Sequence, residues 1–197
     1  RFFDFLADVL TRAAPILRAS DLADSLARYA REALFRIQAH DVEVLAPLRA
    51  AMTQALGLHF REKEGEDFFR SSLVQTLFYG LFSAWILWGR QERNAEARFD
   101  WRTASDHLQL PLVDSLFEEI ARPSRLRDLN LREPLEWAEA ALNRVAREEF
   151  FKTFEEEQAI QYFYEPFVEA FDPALRDSLG VWYTPPEIVR YQVGRVD

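Results

Sequence analysis

Cysteine is absent from the 197 residues, so the chain has no disulfide framework, no thiolate metal site and no thiol nucleophile. Only two lysines occur, Lys63 and Lys152, against many arginines, and no acid-x-lysine spacing suits a metal-dependent nuclease. Six glycines and nine prolines leave few turns, which favours long helices over many short strands. Neither a Gly-x-Ser-x-Gly elbow nor a phosphate-binding Gly-Lys-Ser/Thr loop is present. His40, His59 and His107 stand alone, with no histidine at i+3 or i+4, so they form no paired-histidine metal motif on a helix. There is also no basic region followed by a cleavable apolar stretch. The lack of cysteine and of such a leader fits a reducing cytoplasm.

What is present is apolar and acidic. A hydrophobic share of 49% is too high for a disordered linker, and 197 residues suffice for a sizeable core. A formal charge of −9 argues against a general phosphate clamp, because counterion release drives non-specific nucleic-acid binding. Arg122, Arg125, Arg127 and Arg132 form the one arginine cluster that could make a local phosphate patch.

Periodicity predicts an all-α, multi-helix bundle. Phe2, Phe3, Leu6, Val9 and Leu10 share a stripe that ends near Pro15. Ser20-Asp21 can cap a helix carrying Leu22, Leu26, Tyr29, Ala33, Leu34 and Ile37 inward. A third helix spans 41–56, bent near Pro47 and stopped by Gly57. The run 61–67 of alternating charge is the expected hinge, dividing an N-terminal helical unit (1–65) from a central helical connector (66–171). Residues 71–89 carry no charge, long enough for a membrane span. Yet Ser72, Gln75, Thr76, Tyr79, Gly80 and Ser83 form a small or polar stripe, which predicts a central helix packed on all sides, approached closely at Gly80 and Ser83. Pro111 opens a further helix and Pro123 closes it. Pro134 opens a long one with Leu135, Ala138, Leu142, Val145, Ala146 and Phe150 inward. Ile160, Phe163, Tyr164, Phe167 and Phe171 mark the last helix, bent at Pro166, after which Asp172-Pro173 caps a short turn. Glu148-Glu149 and Glu155-Glu156-Glu157 lack the Glu-x-x-His pattern of di-iron bundles and read as a solvated acidic face.

The C-terminal string Gly180-Val181-Trp182-Tyr183-Thr184-Pro185-Pro186-Glu187-Ile188-Val189 breaks this succession. Thr184 suits an N-cap, Pro185 the first helical position, and Glu187 completes a capping box. The helix N-terminus so formed offers free N–H groups and partial positive charge to an anionic group. With its approach (Phe163 to Phe167, Phe171 to Arg176), this string resembles the stretch that opens the methyltransferase domain of N6-adenine DNA methyltransferases. The likeness is greatest to single-chain restriction–modification enzymes, of both the combined restriction–methylation and the translocating, helicase-containing type. Glu66-Asp67-Phe68-Phe69 with the run Val74 to Ala84 resembles that family's "Gln-Thr-Leu-x-Tyr-Gly-Leu-Phe" helix, and 111–120 resembles its following segment.

The resemblance implies that Tyr183, Thr184 and Pro185 line or set the methionine end of an S-adenosylmethionine pocket. Trp182 stands where the family commonly has tyrosine. It also implies that 172–197 begins an α/β methyltransferase domain, and that DNA is met through downstream domains after base flipping. The family's glycine-rich cofactor loop and its Asn-Pro-Pro-Tyr element do not occur in the 197 residues. The chain is therefore expected to be an inactive fragment of a larger enzyme, which fits its beginning at Arg1. Its helices would join an upstream nuclease or motor to the methyltransferase. The alternative from the residues alone is an all-α protein-interaction module with an ordinary capping box.

Overall fold

The computed structural model describes residues 14–40, 43–56, 62–108, 117, 119–120, 122–154 and 163–173. The fold is all-α, with no β-strand among the described residues. In chain order the elements are α1 (Ala19–Gln38), α2 (Ala46–Leu56), α3 (Glu62–Gln91), a 3-10 turn (Trp101–Thr103), α4 (Ala104–His107), α5 (Pro123–Asp128), α6 (Arg132–Leu142), α7 (Arg147–Thr153) and α8 (Glu165–Phe171).

Helix α1 is amphipathic as its sequence predicts. Leu22, Leu26, Ala33 and Ile37 are buried, with Tyr29 and Leu34 packed at the edge of the core. Its start differs from the expectation. Arg18 is the N-cap and makes no side-chain cap bond, while Ser20 already lies inside the helix. The reason is tertiary: Ile16 forms an isolated parallel bridge with Val145, its N–H donating to the Arg144 carbonyl and its carbonyl accepting from the Ala146 N–H. That pairing fixes where the chain turns into α1. At the other end, the buried Arg70 guanidinium donates to the Ile37 carbonyl at 2.6 Å, adding a second donor to the one supplied by the His40 N–H, where the helix dipole favours a cation.

Helix α1 packs on α3, α6 and α8, and α3 also meets α2 and α4. The apolar residues from Ile16 to Phe171 join one core cluster, so residues on both sides of position 65 share a single interior. No break falls in the expected hinge, because 62–67 form the first turns of α3. Charged alternation alone does not end a helix that is continued by apolar residues packed on both faces. The apolar part of α3, Gly65–Gln91, is long enough to cross a membrane. Phe69, Leu73, Val74, Leu77, Phe78, Leu81, Phe82 and Trp85 are buried on it within the fold, which accounts for its composition. A neighbour approaches α3 closely at Gly89, where a Cβ would lie 2.9 Å from the Phe151 ring, and at Ser83, which meets the Tyr164 hydroxyl at 3.1 Å.

Prolines behave as initiators. Pro47 sits in the first turn of α2, which starts at Ala46 instead of bending a longer helix. Pro123 opens α5, and Pro166 lies in the first turn of α8. Asn130, at φ 53°, provides the left-handed residue beyond the end of α5. The expected long helix from Pro134 to Phe150 is two helices, α6 and α7, separated at 143–146. Asn143 turns its amide to the Phe99 backbone, accepting from its N–H and donating to its carbonyl, both at 2.8 Å. The Ile16–Val145 bridge pairs the Arg144 carbonyl and the Ala146 N–H, backbone groups that a continuous helix would use internally.

Candidate functional site

The polar stripe of α3 and the helix that precedes the C-terminal string meet along one seam. Tyr79 stands edge-on to Tyr164 and Phe167, with centroids 4.6 and 5.0 Å apart. Ser83 Oγ and the Tyr164 hydroxyl share a hydrogen bond of 3.1 Å. Gln75 donates to Ser71 Oγ at 3.3 Å, and Ser71 donates to Asp172 Oδ2 at 3.2 Å. Ser71 is buried and pairs with a carboxylate, a role that spacing did not reveal because Ser72, not Ser71, falls on the stripe. Asp172 is the C-cap residue of α8, its N–H donating to the Val168 carbonyl at 2.9 Å. It closes α8, and the turn that Asp172-Pro173 is expected to cap lies outside the described residues.

The seam fixes the chain at Asp172, ahead of the C-terminal string. Tyr183, Thr184, Pro185 and the rest of that string, including Trp182 and Glu187, lie outside the described residues. So do Pro111, His59, Gly57, Ile160 and Glu155-Glu156-Glu157. Of the 111–120 segment, Phe117 and Ile120 are described and buried in the core.

The arginine cluster is largely committed to carboxylates. Arg122 and Arg125 both pair with Glu119, at 2.9 and 3.1 Å, and Arg125 also donates to the Val44 carbonyl at 3.0 Å. Arg132 pairs with Glu136 at 2.8 Å and keeps a largely exposed side chain. A row of cations already bridged by acids makes a poor phosphate patch. Among the described residues no group of three or more His, Cys, Asp or Glu is placed to hold a metal. Glu148 and Glu149 face Lys152, at 3.4 and 2.8 Å. The tryptophans within the described residues are packing residues: Trp85 and Trp101 are buried, Trp88 lies 5.6 Å from Phe99, and Trp137 packs near Tyr29 beneath the Arg36 guanidinium.

Two glutamates on α6 have opposite electrostatics. Hydrogen bonding to Arg132 holds the Glu136 carboxyl below its usual range. Burial pushes Glu139 up, partly offset by the Trp101 N–H that donates to its Oε2 at 3.0 Å. Because the folded value of Glu139 is raised, its contribution favours the fold below the ordinary glutamate range and is lost as pH rises through the elevated value. Glu139→Gln keeps an acceptor for Trp101 without the buried charge. Its Tm relative to the parent chain is therefore expected to be higher at pH 7 than at pH 4. A constant difference in thermal melts across that interval would refute the assignment.

No family model, curated protein or solved structure matches this chain.

Proposed function

We propose that this chain is the helical connector and cofactor-site lead-in of an S-adenosylmethionine-dependent adenine-N6 DNA methyltransferase belonging to a restriction–modification protein of phage defence. The observation that carries the reading is the meeting of its two most distinctive segments. The Gln75-Thr76-Leu77-Phe78-Tyr79-Gly80 helix packs along Phe163 to Asp172, the approach to Trp182-Tyr183-Thr184-Pro185-Pro186. A rigid bundle that anchors the chain at Asp172 suits a scaffold whose task is to deliver the following segment to a pocket.

In this reading residues 172–197 begin the methyltransferase domain. Tyr183 and Thr184 line the methionine end of the cofactor, and Pro185 sets the helix start. DNA is bound by downstream domains, a nuclease or motor is carried on the same polypeptide, and the protein works in the cytoplasm. The 197 residues alone are inactive and take up no cofactor, because the glycine-rich loop and the Asn-Pro-Pro-Tyr element lie outside them.

The experiment is to read the coding sequence beyond Asp197 and measure cofactor binding by calorimetry on the polypeptide it specifies. A glycine-rich loop, an Asn-Pro-Pro-Tyr element and saturable binding support the reading. A stop codon, or a continuation of another kind, leaves an all-α interaction module. In the extended protein Thr184→Ala is expected to weaken S-adenosylmethionine binding while lowering stability by no more than a lost cap costs, about 0.5–2 kcal/mol. Unchanged affinity would reduce Thr184 to a cap.

A further inference from the structure

A second location carries a binding inference that does not depend on the methyltransferase reading. The C-terminal end of α3, the 95–98 loop and the α6–α7 junction enclose a half-open cavity of about 330 Å³. Trp85, Trp88, Arg98 and Arg147 line it, with Glu96 as its one carboxylate. The Arg147 guanidinium is held on two sides. Its centre lies 4.7 Å from the Trp88 ring centroid, and Nη2 donates to the Asn94 carbonyl. Its Nη1 is buried and has no acceptor. The indole Nε1 of Trp85, a residue with no exposed surface, is likewise buried without an acceptor. Asn143 also lines the cavity, but both ends of its amide are taken by Phe99.

Two donors without acceptors therefore belong to the wall of one cavity, beside a second guanidinium. Buried donors left unpaired disfavour the fold, and such exceptions call for an explanation. A cation would face Arg98 and Arg147. A neutral apolar guest would leave both donors unpaired. An oxyanion presents lone pairs in several directions and forms charge-assisted bonds with guanidinium forks. A guanidinium stacked on an aromatic face and fastened at one edge is already oriented for such a partner.

We propose that this cavity binds a small oxyanionic ligand, through a phosphate or carboxylate group received by Arg147 Nη1 and the Trp85 indole N–H, with Arg98 providing the second positive charge. Both donors are closed to solvent, so binding requires the Arg147 side chain and the cover over the Trp85 indole to shift toward the ligand. The adjoining groove shares Arg147 with it and gives room for the remainder of a larger ligand; Glu92, Glu148 and Glu149 line it beside Arg93 and Lys152, so that remainder is not itself anionic.

The test is a titration of the 197-residue chain with inorganic phosphate, and separately with acetate, at constant ionic strength, following the assigned indole N–H resonance of Trp85 by NMR. A saturable shift is expected with at least one of them, and Arg98→Gln should weaken the apparent Kd about tenfold. Saturation by phosphate alone identifies a phosphate group; saturation by acetate identifies a carboxylate. Arg147→Gln should abolish the shift. Because Arg147 also holds Asn94, the exposed Arg98 supplies the decisive variant where Arg147→Gln unfolds the chain. The proposal is overturned if neither anion moves the resonance beyond a chloride control, or if Arg98→Gln binds as the parent does.

Discussion

Phe82→Ala is expected to destabilise the fold by about 3–5 kcal/mol, the range for removing a buried phenyl ring and leaving part of its volume empty. Phe82 is 1% exposed on the central helix. Its ring stacks on Phe163 with centroids 3.5 Å apart and planes 7° from parallel, and it meets Phe154 edge-on at 5.7 Å. It therefore joins α3 to the residues on either side of 155–162, and neighbours held by other aromatic contacts cannot collapse into the gap. Trp85, 6.4 Å away, is itself braced by Phe150 and Phe151. Domains of this size are commonly stable by about 5–15 kcal/mol, so the variant should lose a large part of the total. Urea denaturation reads the effect as a lower midpoint. The exposed Phe35, 70% accessible, provides the control: Phe35→Ala should fall within about 0.5 kcal/mol of the parent. Equal losses at the two positions would contradict this description of the core.

The second large effect is polar. Asn143→Ala removes both partners of the Phe99 backbone, whose residue is 1% exposed. Each buried backbone group left unpaired costs about 1–3 kcal/mol, and the pair together about 2–4 kcal/mol where local relaxation recovers part of the loss. Asn143→Asp separates hydrogen bonding from shape. An ionised carboxylate still accepts from the Phe99 N–H but opposes its carbonyl, so at pH 7 it should restore little. A protonated carboxyl can donate, so Asn143→Asp should recover stability relative to Asn143→Ala as the pH falls toward 4. Parallel denaturation curves for the two variants at pH 7 and pH 4 check this, and a gap that does not change would show that the paired geometry contributes little.

These two residues also mark how far local signals reach. Phe82 could be placed in the interior from sequence, since an uncharged stretch with a small or polar stripe has no stable place except among other helices. The inward residues of α1 were equally legible, because an apolar residue every three or four positions can be buried on only one helical face. Asn143 was not. Leu142, Val145, Ala146 and Phe150 continue the inward pattern of α6 across the break, so periodicity alone runs straight through it. Only the approach of Ile16, distant in sequence, offers the backbone at 144–146 partners outside the helix, while Phe99 engages the Asn143 side chain. Pro47 differs from the expectation for a related reason: a proline can bend one helix or open another, and the flanking packing selects between them, while Pro123 both follows one helical stretch and opens the next.

The seam at Asp172 shows the same division. Spacing identified a polar stripe on α3 but could not tell that Ser71, one position off it, holds the end of α8. The arginine cluster was visible as composition, whereas its pairing with Glu119 and Glu136 depends on where α5 and α6 begin. By itself the sequence determined that the chain is helical, that 71–89 lies at its centre, and that no thiol, helical histidine or P-loop chemistry is available. These follow from residue types and from a 3.6-residue period, which act within a few turns. The tertiary structure alone decided where helices stop, which carboxylates neutralise which arginines, and that two unpaired donors share one cavity. Such outcomes depend on groups far apart in sequence competing for the same hydrogen-bonding partners and the same buried space.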